Sequence, residues 1–179
     1  DVVLVGAQTA MIERYRGVQP HEVPADLRAE LGLAPVPPIA VVTRRASLAP
    51  ASDLIAKAVV PTIVYTTASA PEERRAALAD AGADVMVAGE DSVDLELVLA
   101  DLDRRALRRV CCEGGPTLFG SLITQGLVDE LDLSVAPLLV AGDAGRIAHS
   151  DLPDEPTLLR LVSVLHADDM LLLRYLRKE

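Results

Sequence analysis

One stretch decides the fold of this 179-residue chain: Val110-Cys111-Cys112-Glu113-Gly114-Gly115-Pro116-Thr117-Leu118-Phe119-Gly120-Ser121. A short apolar run ends in a carboxylate and two glycines, and a helical pattern begins at the proline. Glycine lets the backbone turn sharply and approach a ligand closely, and proline suits the first turn of a helix. The unpaired N–H groups and the positive dipole end of that helix favour a phosphate. The stretch therefore predicts a nucleotide cofactor at the carboxyl end of a sheet.

The overall composition predicts one globular domain over residues 1–179. Half of the residues are apolar, which is enough for a sizeable core. The formal net charge of −10 argues against nucleic acid or an anionic membrane as a partner, so an anionic ligand must meet a local basic patch. No apolar run reaches transmembrane length. Because Asp1 already stands in a strand-like run, we expect an N-terminal segment to be missing from this sequence.

The cysteines and histidines predict neither a disulfide nor a metal site. The two cysteines are adjacent, and neighbours on a strand point to opposite faces, so a bond between them is not expected. This usage fits the reducing cytoplasm. The three histidines, His21, His149 and His166, are scattered without metal-ligand spacing.

The order of elements along the chain predicts an α/β fold. Short apolar runs alternate with amphipathic or proline-led helical patterns, with strands expected at 2–5, 39–42, 62–65, 85–87 and 110–112 and helices at 71–81, 93–106 and 116–125. After residue 130 the pattern changes to period-two strands, including a hairpin that turns at 167–169. We therefore expect a mixed, mostly parallel central sheet with helices on both faces and antiparallel C-terminal strands.

Four stretches of the chain carry a family resemblance: Asp1–Thr9, Cys112–Leu122, Gly126–Leu131 and Val135–Val140. They resemble the reductase domain of riboflavin biosynthesis, the C-terminal half of bifunctional deaminase–reductases. The resemblance covers nearly the whole chain, and its most specific part is the Glu-Gly-Gly-Pro block. The family has the fold of dihydrofolate reductase, so the resemblance implies a three-layer α/β/α reductase domain.

The resemblance implies an NADPH-dependent enzyme in which Gly115 through Ser121 cradle the diphosphate and Glu113 faces the substrate. It further implies that Thr9 contacts the dinucleotide and that Glu13 lies near the nicotinamide, and it makes Glu113 and Glu13 the candidate catalytic acids. Arg44 would hold the 2′-phosphate. The complete set of implied cofactor-binding residues is Gly6, Thr9, Glu13, Thr43, Arg44, Gly114, Gly115, Pro116, Thr117, Leu118, Phe119, Gly120 and Ser121.

Each of these positions also has a purely structural interpretation. The two glycines could form a strand-to-helix turn without a ligand, and Thr9 could cap a helix. Glu13 could be a solvated residue on a short helix. Arg44 and Arg45 could be an ordinary solvated pair, although paired arginines at a strand end suit a phosphate.

The implied reaction is hydride transfer to C1′ of 5-amino-6-(5-phosphoribosylamino)uracil, and the family resemblance suggests a homodimer. The chain departs from the family after Glu13, where a substrate-phosphate motif is replaced by Arg14-Tyr15-Arg16-Gly17-Val18. Arg14 or Arg16 could take over that role. The departure keeps open a pterin-type reductase, an NADPH-binding protein without turnover, and a structural domain that binds no NADPH.

Overall fold

The computed structural model describes residues 1–151 and 155–178, and the chain divides into two compact units, Asp1–Gly115 and Pro116–Glu179. The first unit contains a parallel sheet with helices, and the second contains a helix and a small antiparallel sheet. The predicted α/β class is confirmed.

The first unit is built from βα segments around five parallel strands in the order β4-β3-β2-β1-β5. Nearly every predicted element is present, with bounds that are unchanged or shifted by up to three residues. The elements are β1 Val2–Gly6, α1 Ala7–Ile12, a 3-10 turn Pro20–Glu22, α2 Ala25–Glu30, β2 Ile39–Val42, α3 Asp53–Ala56, β3 Ile63–Thr66, α4 Glu72–Asp80, β4 Asp84–Val87, α5 Leu95–Arg104 and β5 Val110–Cys112.

The core of the first unit lies around the three central strands. Val5, Val41 and Val64 come from β1, β2 and β3 and have no exposed surface, as expected of strands covered on both faces. Leu54 and Leu78 pack against them from α3 and α4. The continuous runs of apolar residues therefore form the buried part of the sheet, and the polar residues follow at the carboxyl ends of the strands.

A buried polar network connects α5 to β3 and β4. The fully buried Tyr65 donates a hydrogen bond of 2.8 Å to Asp101 Oδ2. Arg104 and Arg105 pair with the same carboxylate at 2.8 and 2.6 Å, and Arg105 also pairs with Asp84. Burial by itself would raise the pKa of Asp101, but the hydrogen bonds from Arg104, Tyr65 and Arg105 outweigh it and lower that pKa. The network therefore stabilises a charged carboxylate inside the fold.

The second unit holds α6 Pro116–Thr124 and three antiparallel strands, β6 Glu130–Val135, β7 Leu159–Ala167 and β8 Met170–Arg177. The predicted hairpin turns at Asp168 and Asp169, whose φ angles of 49° and 64° suit a two-residue turn. In one detail the structure differs from the predicted mixed sheet. Strand β8 pairs with β6 on one side and β7 on the other, so these strands form a sheet of their own and the five-stranded sheet is wholly parallel.

Candidate functional site

The first unit brings two chain segments together at β1, the point in its parallel sheet where the order of the strands reverses. Strand β1 lies between β2 and β5, so the chain leaves β1 towards one side and β5 arrives on the other. Gly6 N–H donates to Gly114 O at 2.7 Å, and Glu113 N–H donates to Leu4 O at 2.9 Å. Open α/β sheets bind ligands outside the carboxyl ends of strands at such a switch point. The Gly6 and Glu113–Gly114 segments therefore lie side by side at the expected edge.

Gly115 makes a close approach to the Thr9 side chain of α1. A Cβ placed on Gly115 would lie 2.3 Å from Thr9 Oγ1, which is shorter than any real contact. Gly114 has a φ of +82°, a region that favours glycine, and the peptide bond between the two glycines is cis. The cap interpretation of Thr9 is wrong, because Gly6 is the N-cap of α1 and Thr9 is the third helical residue. Thr9 and Gly115, two residues of the predicted cofactor site, are thus neighbours.

The carboxylate of Glu113 has a partner that the sequence did not reveal, the hydroxyl of Tyr15. Tyr15 donates a hydrogen bond to Glu113 Oε2, and its ring is half-buried against the core of the first unit. Burial, followed by the hydrogen bond and the charge of Glu113, raises the pKa of Tyr15 to about 12. An aromatic residue inside the polar connection after α1 was the available signal, since the chain has only three tyrosines and one phenylalanine.

Glu13 lies close enough to this pair to act on it electrostatically. It is the C-cap of α1, its side chain is exposed, and its charge contributes to the raised pKa of Tyr15. The structure therefore brings both predicted acidic residues, Glu13 and Glu113, around one phenol. Arg16 is paired with Glu22, whereas Arg14 has no ion-pair partner in the described parts of the chain.

The end of β2 presents an exposed arginine, Arg44. Arg44 is exposed, and its Nε donates to the backbone carbonyl of Asp91 at 2.7 Å. Across residues 1–151 and 155–178, neither Arg44 nor Arg45 forms an ion pair. Thr43 is only 4% exposed, and its hydroxyl accepts the Ser47 N–H at 3.1 Å. Thr43 thus shapes the turn that carries Arg44.

In the second unit, the six predicted residues of α6 divide into exposed and packed positions. Pro116 and Thr117 are exposed, while Leu118 and Gly120 are buried. A Cβ on Gly120 would lie 2.5 Å from the carbonyl oxygen of His149, so this glycine serves close packing. The Ser121 hydroxyl donates to Thr117 O at 3.0 Å, and Phe119 is half-buried.

The described residues provide neither a cluster of metal ligands nor a membrane-spanning helix. No cluster of three or more histidine, cysteine or acidic residues there could hold a metal ion. No helix in the same residues is long and apolar enough to span a membrane. Burial raises the pKa of the half-buried Cys112 thiol, as expected of a cysteine that serves packing.

Comparison with known proteins gives consistent matches. The profile of the RibD C-terminal domain matches residues 1–173. A Methanothermobacter thermautotrophicus protein named 2,5-diamino-6-ribosylamino-4(3H)-pyrimidinone 5′-phosphate reductase is 35% identical over 157 residues, which are 87% of this chain and 68% of that protein. The protein of the same name from Archaeoglobus fulgidus is 33% identical over 142 residues, 79% of this chain and 64% of that protein. The crystal structure of a pyrimidine reductase-like protein from Corynebacterium diphtheriae superposes with a TM-score of 0.84 at 25% identity, covering 100% of this chain and 76% of that one. For Acinetobacter baumannii RibD the TM-score is 0.73 at 22% identity, and the match covers 99% of this chain and 47% of that one, so this likeness concerns the fold.

Proposed function

The chain belongs to the RibD C-terminal domain family, and from that premise we propose that it is an NADPH-dependent reductase of riboflavin biosynthesis. The proposed reaction is hydride transfer to C1′ of 5-amino-6-(5-phosphoribosylamino)uracil or a closely similar aminopyrimidine. The observation that carries the proposal is the meeting of Gly6 and Thr9 with Glu113–Gly115 at the switch point of the parallel sheet. The same edge of the sheet thus holds the Gly114–Gly115 backbone, which a ligand can approach closely, and the exposed carboxylate of Glu113.

The charge distribution of the first unit fits a phosphorylated dinucleotide. Arg44 forms no ion pair across residues 1–151 and 155–178 of a chain with net charge −10, which suits the 2′-phosphate that distinguishes NADPH from NADH. The ends of β2 and β5 are separated by β1 alone, or about 10 Å at ordinary strand spacing. A dinucleotide can span that distance. Pro116–Ser121 lie in the second unit, and their contact with the diphosphate stays a prediction from the sequence.

The residues of the first unit would bind and orient rather than carry out the redox chemistry. Bound NADPH supplies the hydride. As C1′ accepts it, the ribose ring oxygen leaves C1′ and takes a proton, which gives the ribitylamino product. Glu113 accepts N–H groups of the heterocycle and thereby holds C1′ in place. Glu13 or a water molecule is the proton source, because a carboxylate that accepts N–H groups carries no proton to give.

A second substrate is favoured by the names of the relatives. Two of them are named for 2,5-diamino-6-ribosylamino-4(3H)-pyrimidinone 5′-phosphate, which carries an amino group where the uracil carries a carbonyl. Both compounds present N–H groups, on the ring or on an amino substituent, that a carboxylate can accept. Purified protein should therefore be assayed on both, and on dihydrofolate, by loss of NADPH absorbance and by the mass of the product.

The expected result is oxidation of NADPH with one of the two ribosylated pyrimidines and none with dihydrofolate. Turnover of dihydrofolate alone would favour the pterin-type reductase. NADPH binding without turnover of any compound would favour a binding protein, and the absence of NADPH binding would refute the proposal.

We also propose that the protein is a homodimer and that the antiparallel sheet of the second unit forms the interface. One face of that sheet is apolar at successive register positions, where Leu173 pairs with Leu133 and Val164. Several side chains of this face are 40–49% exposed: Val135, Leu161, Val164 and Leu171. Exposed apolar faces of this kind mark protein interfaces. Sedimentation analysis should show a dimer that Val164→Glu dissociates, and a monomeric wild-type protein would refute this part of the proposal.

A further inference from the structure

The hydrogen bond between Tyr15 and Glu113 joins two segments that lie 98 residues apart. Its donor cannot move freely. The Tyr15 N–H donates to Ala10 O at 2.8 Å, just after α1, and the ring packs against the core of the first unit. Packing and a backbone hydrogen bond thus hold the phenol in place, whereas a long surface side chain would sample several rotamers.

The acceptor is anchored at its backbone but exposed at its tip. Glu113 follows β5, and its N–H donates to Leu4 O at 2.9 Å. Its carboxylate has two oxygens, of which Tyr15 occupies Oε2. In the described parts of the chain no donor reaches Oε1. One oxygen is therefore oriented by the protein, and the other is available to a ligand.

We propose that Tyr15 is a positioning residue that orients the Glu113 carboxylate, so that Oε1 selects heterocycles presenting an N–H group at their edge. This inference rests on the proposed function, because it assigns Glu113 to the substrate of that reaction. A ring whose edge carries only acceptors would face an oriented carboxylate oxygen and be repelled. A ring with N–H donors forms a charge-assisted hydrogen bond there without first ordering the side chain.

The electrostatics of the pair agree with this division of roles. Because the pKa of Tyr15 is raised to about 12, its proton stays on the phenol oxygen throughout the neutral range. Tyr15 is thus a fixed donor to the carboxylate and a poor proton source for the reaction. Its contribution should appear in substrate binding and leave the chemical step largely unchanged.

Tyr15→Phe tests the role because it keeps the ring and removes only the hydroxyl. We expect KM for the ribosylated pyrimidine to rise ~5- to 10-fold, with kcat and the Kd of NADPH changing less than ~2-fold. Tyr65→Phe is the matched control, since it also removes a hydroxyl that donates to a carboxylate, but inside the α5 network. It should lower stability and leave KM unchanged. An unchanged KM in Tyr15→Phe, or an equal rise in both variants, would overturn the inference.

A double-mutant cycle tests whether Tyr15 acts through Glu113. The readout is the Kd of the ribitylamino product in the presence of NADP+. In a Glu113→Ala background the further change Tyr15→Phe should alter this Kd by less than ~2-fold, because no carboxylate remains to be oriented. Additive losses would show that Tyr15 acts independently and would refute the positioning role.

NMR of tyrosine ring carbons tests the Tyr15–Glu113 hydrogen bond without substrate. It therefore distinguishes the absence of this hydrogen bond from an error in the proposed function. The Tyr15 resonance, assigned with Tyr15→Phe, should not titrate below about pH 11 in the wild type and should titrate earlier in Glu113→Ala. Titration of wild-type Tyr15 near the ordinary value of about 10 would refute the pair whatever the enzyme reduces. Late titration together with no reductase activity would leave the pair intact and reject the assigned reaction, and the specificity inference with it.

Discussion

Replacing Arg44 by alanine tests the proposed choice of NADPH over NADH. Arg44 is exposed, its Nε is held by the Asp91 carbonyl at 2.7 Å, and it forms no ion pair across residues 1–151 and 155–178. Its charge is therefore available to a phosphate. The substitution removes that charge without disturbing a buried contact, so the effect should be confined to ligand binding.

The expected loss follows from the geometry. A hydrogen bond to a charged group contributes about 1.5–3 kcal/mol, and exposure to solvent places Arg44 at the lower end of that range. NADPH affinity should therefore fall ~10- to 30-fold, since about 1.4 kcal/mol corresponds to a factor of ten. NADH lacks the 2′-phosphate, so its affinity should change less than ~2-fold.

Calorimetric titration with both dinucleotides at low and high salt measures these changes. The NADPH affinity of the wild type should weaken with salt more than that of Arg44→Ala, because a charge contact is screened. Arg44→Lys should lie between the two, since it keeps the charge and loses the Nε donor. Arg45→Ala is the matched control, because this exposed neighbour also has no ion pair in the described chain. Equal losses for NADPH and NADH, or a loss confined to the Arg45 variant, would refute the reasoning.

Three further substitutions test contacts within each of the two units. Asp101→Asn should lower the free energy of unfolding in urea by about 1–3 kcal/mol at pH 7, because Arg105 loses a charged partner. Since the pKa of Asp101 is lowered in the folded protein, the difference in stability from wild type should shrink as the pH falls below about 4. A difference that stays constant with pH would contradict this. Gly115→Ala should destabilise by about 1–3 kcal/mol because its Cβ meets Thr9 Oγ1, and Thr9→Ala in the same chain should restore most of the loss; failure of that rescue would count against the contact. Asp169→Gly should raise stability by about 0.5–1 kcal/mol, measured by thermal unfolding, because φ at that turn position is 64°; a lower midpoint would speak against the turn geometry.

The sequence identified most residues of the candidate site individually, but it did not show which of them lie together. Glu113, Gly114 and Gly115 stand out because a strand ends there in glycines, and Arg44 stands out because cations follow a strand in an acidic chain. Their assigned contacts with cofactor and substrate stay predictions. Tyr15 was missed because nothing local distinguishes a tyrosine that packs on a core from one that also reaches a distant carboxylate.

The second unit shows where a local pattern was an incomplete guide. Period-two alternation correctly predicted β6, β7 and β8, and two acidic residues correctly predicted the hairpin turn. The pattern does not say which sheet a strand joins, because alternation describes one exposed face and not the identity of the neighbour. In α6, Gly120 packs against the His149 backbone, a contact that the sequence pattern does not reveal, and its contact with the diphosphate stays a prediction.

Local chemistry in the chain determined the strands, the helices and their ends, since apolar runs, prolines, glycines and period act over a few residues. Asp94, for example, caps α5 by accepting the N–H groups of Glu96 and Leu97. Only the tertiary structure decided that β5 lies beside β1, which brings Gly115 onto Thr9 and Tyr15 onto Glu113. The physical reason is that long crossovers join parallel strands, so the connection does not fix which strands become neighbours. Backbone N–H and C=O groups can pair with any strand, and side-chain packing alone selects the partner.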